Sequence, residues 1–316
     1  MKKIGLWFLF HLLFLVGIAH GQPVRIAYLQ SDIHQLPCWV ALEKGFFEKE
    51  GVKVEVGGIF KAGPELMSAF AAGALDMGYV GVAPATTAVA NKTARVVVLA
   101  QVNTEGSAIV VKKNGKVRSI PELVGKVVVV PGHATVQDSL FRRALLKFKM
   151  QPDRLKIMVL KPPEMIGALR TDQTDAFIAW EPYPAKAVTT GVGRILASSR
   201  DIWKGHPCCV LAADSGFLES HLEKAKAVVR GHVKAIDFIR QHREEAIQVG
   251  VKYTGMDEAS IRMAMENVNY TPVLSVDGEK EYVDFLTKLK YIKVEDAQIF
   301  VDRFMRPDFV KETVKR

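Results

Sequence analysis

Short apolar runs alternate with amphipathic segments along the first two thirds of the chain. Val24 to Leu29 is an apolar run of strand length, and Pro37 to Glu50 sets Trp39, Val40, Leu42, Phe46 and Phe47 among charges at helical spacing. Val52 to Val56 alternates apolar with charged residues, as a strand with one wet face does. Glu65 to Ala72 is expected to be a helix, Leu75 to Val80 a strand, Pro84 to Ala90 a helix opening on proline, and Val96 to Ala100 a strand. The order then recurs: strand Val127 to Val130, helix Val136 to Phe148, strand Leu155 to Leu160, helix Glu164 to Arg170, strand Ala176 to Ala179 and helix Ala185 to Thr189. Strands alternating with helices of these lengths predict an α/β fold of mostly parallel sheets with right-handed crossovers.

The recurrence is visible residue by residue at an offset of 99. Pro64-Glu65-Leu66-Met67 leads through Ala69 to Asp76, and Pro163-Glu164-Met165-Ile166 leads through Ala168 to Asp175. The same offset relates His34 to His133, each after an apolar run. Such a period is too long for a solenoid and implies two similar lobes with a cleft between them. From Asp214 the pattern turns to helices only: Val229, Val233, Ile236 and Ile239 recur at helical spacing, and helical stretches follow near 257–267, 278–290 and 294–304. These helices are the available cover for the first sheet. The chain is thus expected to cross near Ala108 to Val111, return near Cys208 to Leu211 and finish on the first lobe. The expected division is 22–108 plus 208–316 for lobe one and 109–207 for lobe two, joined by two hinge crossings.

Residues 1–21 read as a signal peptide. Lys2 and Lys3 precede an apolar stretch from Ile4 to Ile18, and Ala19-His20-Gly21 offers small residues at a cleavage site. No Cys follows the stretch, so the expectation is an exported, soluble, periplasmic protein rather than a lipoprotein. The formal net charge of +9 includes Lys2 and Lys3, and the remainder is spread out with no basic run interleaved with aromatics. Nucleic acid is therefore not an expected partner. Three cysteines are too few for a disulfide framework.

In open α/β sheets ligands bind beyond the carboxyl ends of the strands. Four such junctions can be placed here: Ser31 to Pro37, Gly81 to Thr86, Pro131 to Thr135 and Trp180 to Pro184. Each supplies unpaired backbone N–H groups at a helix start, where a small polar or anionic group can approach.

The run Leu36-Pro-Cys-Trp-Val-Ala-Leu-Glu-Lys-Gly-Phe-Phe-Glu-Lys-Glu-Gly-Val-Lys-Val-Glu-Val56, with Ala72-Gly-Ala-Leu-Asp-Met-Gly78 and Asp175-Ala-Phe-Ile-Ala-Trp-Glu-Pro182, resembles the substrate-binding proteins of nitrate, sulfonate and taurine type ABC importers. The resemblance covers essentially the whole chain after the leader. It implies a two-lobed type II periplasmic binding fold that closes on a small molecule and presents it to a membrane permease with its cytoplasmic ATPase. A monomer without a cofactor and without catalytic activity is implied. The family also includes binders of thiamine-pathway pyrimidines and of bicarbonate, and pyrimidine synthases on the same fold. Carried over by position, the pocket draws on Ser31, Asp32, His34, Trp39, Gly81, Val82, Pro84, Gly132, His133, Thr135, Trp180 and Glu181. Glu181 is poorly suited to a bare anion, leaving room for a heterocyclic, zwitterionic or amine-bearing ligand stacked on Trp180.

A second feature is the placing of thiols and imidazoles. His34 and Cys38 lie at the first junction, and His206, Cys208 and Cys209 at the return crossing. Three outcomes are open: inert burial, a disulfide from Cys38 to Cys208 or Cys209, or a soft-metal site drawn from these five residues. His206-Pro207-Cys208-Cys209 has no zinc-ribbon spacing, and no metal is the primary expectation. Asn91-Lys92-Thr93 fits a glycosylation sequon but carries no function in an exported bacterial protein. A transport receptor leads the possible functions, ahead of an enzyme on the same fold, for which no catalytic spacing is found, and a sensor of a membrane signalling partner.

Overall fold

In the computed structural model, residues 22–314 are described, and the expected leader 1–21 lies outside them. Eleven strands occur among the described residues. The first four are β1 (Val24–Leu29), β2 (Val54–Phe60), β3 (Met77–Gly81) and β4 (Val96–Glu105). Next come β5 (Ser107–Lys112), β6 (Val127–Val130), β7 (Lys156–Val159), β8 (Ala176–Trp180) and β9 (Gly193–Ser198). The last two are β10 (Pro207–Asp214) and β11 (Val268–Tyr270). They build two sheets, ordered β11-β4-β10-β3-β1-β2 and β7-β6-β8-β5-β9, and helices flank each to form a lobe.

The internal repeat is structural. Asp76 accepts a hydrogen bond from Arg25 N at the start of β1 at 2.8 Å, and Asp175 accepts one from Val127 N at the start of β6 at 2.9 Å. Each aspartate also donates its own N–H to the carbonyl of the residue whose N–H it accepts. In both lobes this pins the beginnings of two adjacent parallel strands, β1 with β3 and β6 with β8.

Most strands of each sheet point one way, as expected, but the sheets are mixed, and the crossings explain the antiparallel strands β5 and β10. A strand arriving from the other lobe enters at the cleft, where the parallel strands end, and so must run against them. β5 pairs antiparallel with β8 and β9, and β10 pairs antiparallel with β3 and β4. The segment after Asp214 is not helical throughout, because β11 adds to the edge of β4. Three residues are too few for a periodic signal. β2 also outlasts its alternating stretch: a register shift opposite Ile26 and Ala27 lets Gly57 and Gly58 carry the strand on to Phe60.

The first crossing is a single residue, Gly106, between β4 and β5. Its φ is +86°, and a Cβ there would lie 2.3 Å from His34 Nε2, so only glycine fits. Glu105 beside it is also left-handed, with φ 64°. Its carboxylate holds the second crossing to the first by accepting from Arg200 Nε at 2.7 Å and Gly205 N at 2.9 Å.

The lobes are closed on one another. Ion pairs join Lys161 to Glu65, Lys186 to Asp257 (both 2.6 Å) and Arg143 to Glu281 (2.8 Å) across the rims. Tyr291 OH donates to Asp138 at 2.7 Å, and Trp203 packs on Tyr282 with centroids 4.7 Å apart. No helix among the described residues is long and apolar enough to cross a membrane.

Candidate functional site

Four strand ends meet at the closed cleft. β1 ends at Leu29 and leads to Asp32 and His34; β3 ends at Gly81, which precedes the helix Val82–Ala90. β6 leads to Thr135, the N-cap of the helix Val136–Lys147, whose side chain accepts from Asp138 N at 3.2 Å. β8 ends at Trp180. Between them lies an inner cavity of about 10 Å³, lined from the first lobe by Leu29, Asp32, His34, Gly63, Gly81, Pro84, Cys208 and Cys209, and from the second by Thr135, Val136, Gln137 and Trp180. That is space for one water or ion. At the rim, an outer pocket of about 280 Å³ shares Pro84 and is bordered by Met67, Thr87, His133 and Ala134.

Because β10 enters at the cleft, its first residues reach the inner cavity. Adjacent strand residues normally face opposite sides. Here the register slips between Pro207 and Cys209, so Cys208 is an extra residue in the ladder. Both thiols consequently approach His34: Cys208 Sγ is 3.5 Å and Cys209 Sγ 3.7 Å from Nδ1. Asn103 and Gln101, buried on β4, compensate the disturbed ladder by accepting from Cys209 N and donating to Cys209 O. Asp32 Oδ1 lies 3.2 Å from His34 Nδ1, and Gln35 Nε2 donates to Asp32 Oδ2 at 2.8 Å. His34 Nε2 faces the carbonyl of Gly106 at 2.8 Å and must donate to it, which leaves Nδ1 for the sulfurs and the carboxylate.

These groups tune one another. Burial pushes the Asp32 carboxyl up to about 6, against the opposing pull of His34. Burial works to lower His34, but the Asp32 carboxylate and the Cys208 sulfur outweigh it and raise the imidazole to about 9. Burial likewise disfavours a Cys208 thiolate, yet its hydrogen bond with Cys209 and the His34 charge hold it well below the ordinary thiol range. Cys209 is pushed well above that range by burial and by Cys208.

The remaining sequence-predicted residues are distributed as follows. Gly81, Pro84, Thr135 and Trp180 line the inner cavity, and Trp180 leaves its indole N–H without a partner there. Val82 is buried in the first turn of its helix, half-buried Gly132 contributes its carbonyl to Thr135 Oγ1, and His133 borders the outer pocket instead of repeating the role of His34. Ser31, with φ 49°, donates to Thr254 O. Trp39 is in the core, stacked on Tyr253 with centroids 5.2 Å apart.

Glu181 spends its carboxylate on the protein, accepting from Ala185 N at 2.9 Å and Asn267 Nδ2 at 2.7 Å. Its carbonyl accepts from Ile33 N. Burial raises it to about 7 against those hydrogen bonds, and it joins the lobes rather than facing the inner cavity. Of the three outcomes open for the thiols, the disulfide is not formed: Cys38, Cys208 and Cys209 are free thiols. Cys38 follows Pro37 in the first turn of the helix Leu36–Glu43, buried outside the His34 cluster, and His206 is also outside it. Gln137, which donates to Ser107 at 3.0 Å on the second-lobe wall, was not singled out by sequence, since a polar residue one turn into a helix carries no distinguishing signal.

The sequence profile of the NMT1-like family matches residues 19–253. The chain belongs to the NMT1-like family. Similar proteins include the taurine-binding periplasmic protein of Escherichia coli K12, 28% identical over 227 residues that cover 71% of this chain and 68% of that protein. Among solved structures, the periplasmic nitrate-binding protein of Synechocystis PCC 6803 matches with a TM-score of 0.83 at 18% identity, covering 93% of this chain and 88% of that one. A ligand-binding component of an ABC-type import system from Staphylococcus aureus, solved with zinc bound, matches at 0.81 and 19% identity, covering 94% and 100%. These neighbours share the two-lobed fold of this NMT1-like chain.

Proposed function

We propose that this protein is an exported substrate-binding receptor that carries a small polar organic molecule or oxyanion to an ABC importer. The observation that carries the reading is the cleft: strand ends and helix starts from both lobes converge on it, and a pocket of about 280 Å³ lies at its rim. That volume is near the lower end for small-molecule sites. Membership of the NMT1-like family and similarity to a taurine binder and a nitrate binder support the class of cargo. The partners in this reading are a membrane permease and its cytoplasmic ATPase, the compartment is the periplasm, and the protein delivers its ligand without chemical change.

The helix starts at Val82 and Val136 offer backbone N–H groups to an anionic head group, and the indole N–H of Trp180 is a further unspent donor. A sulfonate with a short polar tail suits this set. Titration calorimetry with taurine, ethanesulfonate and nitrate tests it. Binding of at least one sulfonate is expected, with a gain of about 2.7 kcal/mol in stability at a hundredfold excess over Kd. Trp180→Phe, which keeps the bulk but removes the N–H, should weaken that binding by about 1 kcal/mol. Failure of all three compounds to bind would overturn the reading.

A further inference from the structure

We infer that His34, Cys208 and Cys209 form a site for a thiophilic cation such as Zn²⁺ at the floor of the cleft. The first support is metric. With Zn–S near 2.3 Å and Zn–N near 2.05 Å, a tetrahedral ion separates its sulfur and nitrogen ligands by about 3.6 Å. The two sulfurs stand 3.5 and 3.7 Å from His34 Nδ1, and all three donor atoms lie within 4.8 Å of one another. A strand would ordinarily have sent the two thiols to opposite faces, and the bulge at Cys208 brings them to the same point.

The surroundings are those of a ligand set. His34 donates its other ring N–H to a backbone carbonyl, Gly106 O at 2.8 Å, which fixes the tautomer with Nδ1 directed at the sulfurs. Gln35 Nε2 donates to Cys209 Sγ at 3.5 Å while it orients Asp32, whose Oδ1 stands 3.2 Å from Nδ1 as a charged oxygen beside the set. His34, Cys208, Cys209 and the neighbouring Asp32 are each at most 2% exposed, so solvent does not compete for the site in the closed state. In the closed arrangement the cavity they border, about 10 Å³, has room for an ion. Cys38 and His206 take no part, which narrows the five residues considered from sequence to three. The site does not rest on the transport reading, because all three ligands belong to the first lobe.

Cobalt(II) titrated into the reduced full chain under anaerobic conditions reads the site directly. One equivalent should produce a thiolate-to-cobalt charge-transfer band, and Zn²⁺ should displace it. Cys208→Ser and Cys209→Ser should each abolish or strongly weaken the band, Cys38→Ser should leave it, and Asp32→Asn should weaken binding by about 10- to 100-fold. A readout free of variants is alkylation of the wild-type protein mapped by peptide mass: Zn²⁺ should protect Cys208 and Cys209. The absence of a thiolate band, a band that survives in the Cys208→Ser, Cys209→Ser double variant, or alkylation unaffected by Zn²⁺ would each overturn the inference. A taurine titration run alongside keeps failure of the ion site distinct from failure of the transport reading.

Discussion

At Thr86 one hydroxyl hydrogen lies between two acceptors, Val82 O at 2.9 Å and Glu279 Oε1 at 2.5 Å. Both contacts are satisfied only if Glu279 is the neutral acid, donating to Thr86 while Thr86 donates to the carbonyl. Burial does push Glu279 up to about 8, outweighing what the ionised carboxylate would gain from the Thr86 hydroxyl. The folded value is above the unfolded one near 4.5, so the native state holds a proton that the unfolded chain gives up. The contribution is fully present below about pH 4.5 and falls by about 1.4 kcal/mol per unit until the group ionises near pH 8. Thermal midpoints of wild type and Glu279→Gln from pH 5 to 9 should therefore diverge, with the variant losing less as pH rises. Parallel curves would show that Glu279 is ionised throughout. The residue scale is also where sequence reading reached least far. Glu181 looked like a ligand contact because its partner Asn267 is 86 positions away. Trp39 sits at the right junction but on the helix face turned to Tyr253, and spacing alone does not say which face meets the cleft.

Among elements, the parallel strands and their helices were legible because they carry apolar runs of the right period, and Asp76 and Asp175 mark where β1 with β3 and β6 with β8 are pinned at their starts. The crossing strands were legible only as places. Their antiparallel sense follows from where they enter, and the bulge that gathers the thiols depends on pairing with β4, where Asn103 lies 106 positions from Cys209. The hinge itself reduces to Gly106. Gly106→Ala would combine a left-handed φ with a Cβ 2.3 Å from His34 Nε2, so either the crossing or the imidazole must shift. We predict a loss of at least about 2 kcal/mol in urea denaturation, above the usual cost of a single contact. Stability within about 0.5 kcal/mol of wild type would mean that the crossing tolerates a side chain and that His34 is not held by it.

For the whole molecule, the question is how firmly the lobes stay together. The rim pairs Lys161–Glu65, Lys186–Asp257 and Arg143–Glu281 are all partly exposed, and pairs of that kind contribute about 0–1 kcal/mol each. The buried links at Glu181 are few. Closure is therefore weakly held, and a ligand touching both lobes can shift it by its preference for the closed form. Opening is also required, since no organic molecule reaches an inner cavity of about 10 Å³ otherwise. Small-angle scattering of the protein freed of ligand, repeated with saturating taurine or whichever sulfonate binds, measures this directly. The account predicts a larger radius of gyration without ligand and, with ligand, a curve matching the closed arrangement described here. An identical radius in both states, with binding confirmed in the same sample, would contradict a receptor that works by closing two lobes on its cargo.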